Sequence, residues 1–82
     1  MKQLIIFSAS WCGPCKSLKQ VVFNNNLPVD KIHSIDVDDS PEFAKEYGVR
    51  GVPTVFVIED DKPVRSKTGA MTLDQLLSLI GD

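Results

Sequence analysis

The sequence predicts an α/β domain in which one four-stranded mixed sheet is flanked by three helices, in the order β-α-β-α-β-β-α. Two observations predict this class. Apolar runs typical of strands alternate with helical patterns in the first half of the chain, as in parallel strands joined by a crossover helix. Two further strand-like segments then follow across a short charged turn, which is typical of an antiparallel hairpin.

The composition restricts the possible classes of protein. The chain has 82 residues, enough for a single domain over residues 1–82, and 43% of them are hydrophobic, which excludes a disordered chain. The net charge is −2 and the charges are interspersed, so nothing favours nucleic-acid binding. No apolar run is long enough for a signal peptide or a membrane span. We therefore expect a cytoplasmic monomer with no membrane or nucleic-acid partner.

The first strand and helix flank the two cysteines of the chain. Residues 4–7 form a continuous apolar run, typical of a strand buried on both faces. A helix is predicted to begin at the cysteines, with Pro14 in its first turn, where a missing N–H is tolerated. The asparagines at 24–26 end this helix. Its buried stripe is predicted to consist of Cys15, Leu18, Val21 and Val22.

The middle of the chain predicts a second strand and a short helix. Alternating apolar residues indicate a strand over residues 32–37. Ser40 is predicted to be the N-cap of the next helix, with Pro41 in its first turn and Gly48 as its C′ residue. Residues 49–54 form a linking loop.

The last part of the chain predicts a hairpin and a final helix. Residues 55–58 are an apolar strand, residues 59–62 a charged turn and residues 63–68 a second strand, with Pro63 at its start or at an edge. Thr72 and Gln75 are spaced as a capping box. A helical apolar stripe follows, made of Leu73, Leu76, Leu77 and Ile80.

Cys12 and Cys15, the only cysteines, have the spacing of a disulfide that closes and opens reversibly. A structural zinc site needs four ligands, and His33 is the only other His or Cys, so a metal site is disfavoured and no cofactor is expected. An inert bridge is also disfavoured, because closing so short a loop stabilises little. The pair therefore predicts dithiol–disulfide exchange.

Three motifs, in this order, resemble those of the thioredoxin family. Phe7, Ala9 and residues 11–16 resemble the active-site stretch, and residues 48–54 resemble the loop that holds the cis-proline of the family. Gly69, followed by an alanine, resembles the glycine of the substrate groove. The resemblance covers nearly the whole chain and implies a minimal thioredoxin fold over residues 1–82, without the usual first strand and helix.

The predicted helix start gives the two cysteines different roles. Free N–H groups and the helix dipole favour an anion at the first cysteine, so Cys12 is predicted to attack a substrate disulfide. Cys15, one turn along and more buried, is predicted to attack Cys12 and release the reduced substrate. Gly13 and Pro14 add no charged side chain to stabilise the thiolate, which favours a reductant. Lys16 is a possible modulating residue and is more simply a solvated helix lysine.

The expected substrate-binding residues surround the cysteines. Trp11 is predicted to lie beside Cys12 and to present an apolar face to a partner. By resemblance, Pro53 is cis and lies opposite the cysteines. The Val52 backbone is then free to pair with an extended substrate strand. Gly69 completes this expected groove.

Two positions depart from the thioredoxin pattern. The buried aspartate of the family corresponds to Ile6, and the lysine that usually pairs with that aspartate corresponds to a position near Ser34. The proton acceptor for Cys15 is therefore open between water, a substrate group and Asp36. We expect Cys15 to be activated less effectively than in a typical thioredoxin.

Two other functions remain open from the sequence. The short chain favours a glutaredoxin-like electron donor that glutathione recharges, for example a donor to ribonucleotide reductase. Trp11 and the Gly13–Pro14 pair favour the thioredoxin type, which reduces protein disulfides and is recharged by a thioredoxin reductase. A non-catalytic accessory binding module is the third possibility.

Overall fold

The computed structural model describes residues 1–81, and the order of its elements confirms the predicted β-α-β-α-β-β-α arrangement. The strands are β1 (Lys2–Ser8), β2 (Lys31–Asp36), β3 (Thr54–Glu59) and β4 (Lys62–Thr68). The helices are α1 (Gly13–Phe23), α2 (Pro41–Glu46) and α3 (Leu73–Gly81). The longest helix of residues 1–81 has 11 residues, short of the apolar length that crossing a bilayer requires.

The four strands form one mixed sheet in the order β2-β1-β3-β4. β1 pairs with β2 in parallel, with Ile6 opposite Ser34 and Ser8 opposite Asp36. The β1–β3 and β3–β4 pairs are antiparallel. β1 is therefore an inner strand, and its buried run through Ser8 confirms the prediction of a strand covered on both faces.

Alternation along β1 divides the core into two layers, because successive side chains of a strand point to opposite faces. Leu4 and Ile6 pack on the side of α1 and α3, with Leu18, Val22, Leu76 and Ile80. Ile5 and Phe7 pack on the side of α2, where Phe7 contacts three aromatic rings: Phe43, Tyr47 and Phe56. Helices thus cover both faces of the sheet, as predicted.

The two ends of α2 differ in how well the sequence predicts them. Ser40 occupies the N-cap position, as predicted, although its side chain makes no capping hydrogen bond. Its ψ of 61° departs from the extended backbone usual at a capping serine. At the other end, Gly48 has φ +69° and donates to the Lys45 carbonyl, while Val49 donates to the Ala44 carbonyl. This is a Schellman C-cap, and the predicted C′ role of Gly48 is confirmed.

The β3–β4 hairpin turns through two aspartates. Asp60 and Asp61 have φ of 52° and 67°, and two successive positive φ values are typical of the type I′ turn. Pro63 lies opposite Ile58 at a register shift in β4, which is an edge strand of the sheet. An edge tolerates the missing N–H of a proline, as predicted.

Both ends of α3 are held by side chains. Thr72 Oγ1 accepts the N–H of Gln75 at 3.2 Å, and Gln75 Oε1 accepts the N–H of Thr72 at 3.0 Å, which confirms the predicted capping box. At the carboxyl end, Arg65 donates to the carbonyls of Leu79 and Ile80, at 2.7 and 3.0 Å. Lys2 Nζ donates to the same Ile80 carbonyl at 2.8 Å.

Candidate active site

The two cysteines lie at the amino end of α1 and are joined to each other as a disulfide, with their Cα atoms 5.3 Å apart. Cys12 is the N-cap of the helix, with an extended backbone, and its Sγ accepts the Cys15 N–H at 3.2 Å. Cys15 is the more buried of the two, 1% exposed against 5% for Cys12. With Ala9 they form one buried cluster, against which Val37 and Val52 pack.

The first turn of α1 favours negative charge at Cys12. The free N–H groups of a helix amino end and the helix dipole stabilise an anion, and no acidic residue competes in this turn. Pro14 lies in the first turn and carries no N–H to satisfy. Gly13 and Pro14 are both exposed, so the surface beside Cys12 is formed largely by backbone and an apolar ring.

The loop before β3 faces the cysteines with backbone. The Val52–Pro53 peptide is cis, as the resemblance to thioredoxins implies, and Pro53 is fully buried. The Val52 carbonyl oxygen lies 3.8 Å from Cys12 Sγ. Because a disulfide sulfur carries no hydrogen, this separation is a van der Waals contact in the oxidised protein.

Gly69 is tied to this loop. Its N–H donates to the Pro53 carbonyl at 2.8 Å, and its φ of +107° is one that only glycine adopts readily. On the other side of Pro53, Thr54 Oγ1 donates to the Gly51 carbonyl at 2.6 Å. The structure therefore brings the cysteine pair, the cis-proline loop and Gly69 to one edge of the sheet.

Trp11 is exposed, and a hydrogen bond fixes its position. The residue is 71% exposed, and its Nε1 donates to Asp38 Oδ2 at 2.9 Å. A groove of about 190 Å³ runs from Trp11 towards the cis-proline loop. Its lining is mainly apolar and includes Trp11, Val37, Ala44, Val49, Arg50 and Val52.

Asp38 is the residue of this site that sequence reasoning missed, because the sequence shows it only as part of a polar strand end. Trp11 follows β1 and Asp38 follows β2, and these two strands are parallel. The carboxyl ends of parallel strands meet at one edge of a sheet, where ligand sites commonly form. The shared location of these two strand ends could therefore have predicted that Trp11 and Asp38 lie close together.

Two other candidates lie apart from the reacting sulfurs. Lys16 is an exposed residue in the first turn of α1 and forms no ion pair within residues 1–81. His33 is exposed on β2, where its Nε2 lies 2.8 Å from Gln3 Oε1. Within the same residues, no three His, Cys, Asp or Glu side chains are grouped so that they could hold a metal ion.

Comparison with known proteins identifies the family. The thioredoxin family model matches residues 1–82. A thioredoxin of Chlamydia trachomatis is 40% identical over 79 residues, which are 94% of this chain and 78% of that protein. The chain belongs to the thioredoxin family.

Solved thioredoxin structures agree with this assignment. A mutant thioredoxin of Halobacterium salinarum superposes with a TM-score of 0.88 at 40% identity, over 96% of this chain and 71% of that one. The thioredoxin of Fasciola hepatica gives 0.84 at 32% identity, over 98% and 78%. The chain is a thioredoxin-type dithiol–disulfide oxidoreductase, and the family implies protein disulfides as substrates and a reductase as electron source.

The layer beneath α1 lacks the carboxylate expected of a thioredoxin. Ile6 is fully buried and packs with Leu18 and Val22. Ser34, near the position of the usual lysine, is exposed on β2 directly opposite Ile6. Asp36 is partly buried at the end of β2, and its Oδ1 accepts the Asp38 N–H at 2.8 Å.

Proposed function

We propose that this thioredoxin reduces protein disulfides with Cys12 as the attacking thiolate and Cys15 as the resolving thiol. The observation that carries the proposal is the placement of the disulfide at the amino end of α1, with Cys12 as the N-cap and Cys15 one turn deeper. The helix end favours the thiolate of Cys12, and the thiolate is the reactive form of a cysteine.

The exchange takes place in two steps. The Cys12 thiolate attacks one sulfur of the substrate disulfide, forms a mixed disulfide and expels the other substrate sulfur as a thiolate, which takes a proton. Cys15 then loses its proton and attacks Cys12 Sγ, the mixed disulfide breaks, and the second substrate thiolate leaves and is protonated. Two electrons pass to the substrate, and the protein is left with the Cys12–Cys15 disulfide.

The substrate is held by backbone as well as by side chains. The N–H of Val52 has no hydrogen-bond partner within residues 1–81, so an extended substrate can pair with it as an added strand. Trp11 supplies an exposed aromatic face next to the apolar groove. The far side of the substrate site is formed by Gly69, which has no side chain and donates its N–H to the Pro53 carbonyl.

We assign the protein to the reductant side of this chemistry, with a thioredoxin reductase as its electron source. Gly13 and Pro14 offer no side chain that could further stabilise the Cys12 thiolate, and a less stabilised dithiol is the better reductant. A reversible pair as the only two cysteines suits a reducing cytoplasm, which is the compartment we propose.

An insulin reduction assay tests this function. NADPH consumption is followed once with thioredoxin reductase and once with glutathione plus glutathione reductase. We expect turnover with thioredoxin reductase and none above background with glutathione. Turnover with glutathione alone would instead establish a glutaredoxin-like donor.

Single cysteine variants test the assigned roles. Cys12→Ser is expected to abolish turnover, because the remaining Cys15 is only 1% exposed and is too buried to attack a substrate disulfide. Cys15→Ser is expected to stop after the first step and to accumulate a mixed disulfide that mass spectrometry detects. If both serine variants kept their effect on a partner protein, the role would be that of a binding module.

A further inference from the structure

Ser8, the last residue of β1, carries a buried hydroxyl that the fold leaves without a partner. The residue is 1% exposed, and within residues 1–81 its Oγ is the only buried side-chain oxygen or nitrogen that lacks a hydrogen bond. Leaving a buried hydroxyl without a hydrogen-bond partner lowers the stability of the folded state. Such a group in a native site calls for an explanation, which can be a catalytic role.

The register of β1 and α1 places Ser8 opposite Cys15. Leu4 and Ile6 pack with Leu18 and Val22 of α1. Because side chains alternate along a strand, Ser8 lies on the same face of β1. The helix returns antiparallel to the strand, and its buried residues Cys15, Leu18 and Val22 share one stripe. Every second residue of β1 advances by about 6.7 Å and each turn of α1 by about 5.4 Å. The inward-facing residues of the strand and of the helix therefore lie opposite one another at nearly the same spacing.

With this spacing, the last inward-facing residue of β1 lies opposite the first buried residue of α1. Ser8 and Cys15 both lie at the end of their element where β1 leads into α1. Ala9, the residue next to Ser8, shares a buried cluster with Cys12 and Cys15. This register places the buried hydroxyl of Ser8 on the α1 side of the sheet, at the end of β1 nearest to Cys15.

The other groups around this point are mainly apolar. Val37 and Val52 pack against the cluster that holds Cys15. The adjoining cluster on the α1 side of the sheet includes Ile6 from β1, Val55 from β3, Met71 before α3 and Leu76 within α3. Asp36, opposite Ser8 in the register of β2, is the titratable residue nearest to it in the sheet, and its Oδ1 accepts the Asp38 N–H. Its negative charge disfavours a neighbouring thiolate, which is opposite in sign to the effect of a hydroxyl donor.

We propose that the Ser8 hydroxyl donates a hydrogen bond to Cys15 Sγ when the Cys12–Cys15 bridge opens, and so stabilises the Cys15 thiolate that resolves the mixed disulfide. In the disulfide, Cys15 Sγ is bonded to Cys12 and uncharged, and it is a weak acceptor. After reduction, the sulfur is free to rotate and, once ionised, becomes a strong one.

Ser8 acts here as a donor and not as the base. In the resolving step, the Cys15 proton goes to water, the thiolate attacks Cys12 Sγ, and the substrate sulfur leaves and takes a proton from water. Throughout the step Ser8 keeps its own proton. This inference rests on the proposed role of Cys15, and it offers that thiol a local stabilisation that Ile6 cannot provide.

Titration of Cys15 is the direct test. Thiolate absorbance is followed against pH in Cys12→Ser, alone and combined with Ser8→Ala. Removing the donor is expected to lower the fraction of Cys15 present as thiolate about tenfold at a given pH below its midpoint, because hydrogen bonds to charged groups are the stronger ones. Ser8→Thr, which keeps a hydroxyl, is expected to restore most of the thiolate.

Two further variants act as controls in the same background. Ser10→Ala removes an exposed hydroxyl two residues further along and is expected to leave the titration unchanged. Asp36→Asn is expected to raise the thiolate fraction, because it removes a negative charge. If Ser8→Ala left the titration within twofold of its parent, the proposal would be overturned.

Redox equilibrium provides an independent readout in the protein that keeps both cysteines. At alkaline pH, where the thiolate is populated, Ser8→Ala is expected to shift the equilibrium with glutathione about tenfold towards the disulfide, or about 30 mV. Ser8→Ala is also expected to leave the melting temperature of the oxidised form unchanged or raised. Equal destabilisation of both redox forms would show a purely structural serine. Neither readout requires turnover, so a failed insulin assay would count against the proposed function alone.

Discussion

At the scale of single residues, the hydrogen bond from Trp11 to Asp38 fixes the most exposed aromatic side chain of the site. Trp11 lies 27 positions before its partner, and the indole is otherwise largely in solvent. A fixed aromatic face loses less conformational entropy when a partner binds. We therefore predict that Asp38 positions Trp11 for substrate binding.

Asp38→Ala is expected to release the indole of Trp11. Since Trp11 is the only tryptophan of the chain, its fluorescence anisotropy decay reports this motion directly. We expect faster local motion and a rise of a few fold in the KM for insulin, because an exposed hydrogen bond contributes on the order of 1 kcal/mol. Asp39→Ala is the matched control, and an unchanged decay in Asp38→Ala would refute the role.

Gly69→Ala tests the backbone on the far side of the groove. A Cβ at Gly69 would meet no atom within 4 Å, so any cost arises from its φ of +107°. Strained backbone of this kind costs on the order of 1–3 kcal/mol, and we expect urea unfolding to show a loss in that range. Gly13→Ala, at another open position but without a positive φ, is expected to change stability by less than about 0.5 kcal/mol.

At the scale of elements, α3 is held at its carboxyl end by cations from two different strands. Arg65 of β4 bonds the Leu79 and Ile80 carbonyls and also donates to Glu59 at 3.0 Å, while Lys2 of β1 bonds Ile80. Positive charge at this end also complements the helix dipole. The two cations thus fasten α3 to the sheet.

Arg65→Met is expected to lower the free energy of unfolding by about 1–3 kcal/mol, because it removes three hydrogen bonds to a partly buried guanidinium. Urea denaturation measures this loss. Lys67→Met, two residues along the same strand and exposed, is the control and is expected to stay within about 0.5 kcal/mol of the parent. Equal losses in the two variants would contradict the fastening role of Arg65.

The sequence predicts the elements better than it predicts contacts between them. Apolar runs, the capping box at Thr72 and the glycine at 48 are local signals, and the structure confirms each of them. Strand limits shift by a residue or so: the second strand is Lys31–Asp36 against the predicted 32–37. Local patterns mark where a strand lies and leave its last paired residue to the neighbouring strand.

Contacts across the chain were less predictable. The sequence places Ser40 at the N-cap correctly but does not reveal that its side chain makes no capping hydrogen bond, because the backbone angle at that residue decides it. The Trp11–Asp38 bond and the orphan hydroxyl of Ser8 depend on tertiary register. The resemblance to thioredoxins supplied the cis-proline and its place opposite the cysteines, which spacing alone does not indicate.

At the scale of the whole molecule, the Cys12–Cys15 disulfide contributes little to the stability of a fold whose core has two layers. The Cys12–Cys15 loop is short, so chain entropy gives its closure only about 2 kcal/mol. We expect reduction to lower the free energy of unfolding by no more than this, measured by urea denaturation with and without a reductant. A loss of several kcal/mol on reduction would show that the bridge supports the fold itself.

The surface around the cysteine pair is small, and this determines the order in which the protein can bind its partners. The cysteine pair, the cis-proline loop and the groove all lie at one end of the sheet. A donor of electrons and a recipient must therefore visit in turn, each excluding the other. The protein therefore shuttles electrons between the two partners. Its concentration and its dissociation rate from each partner limit the electron flux.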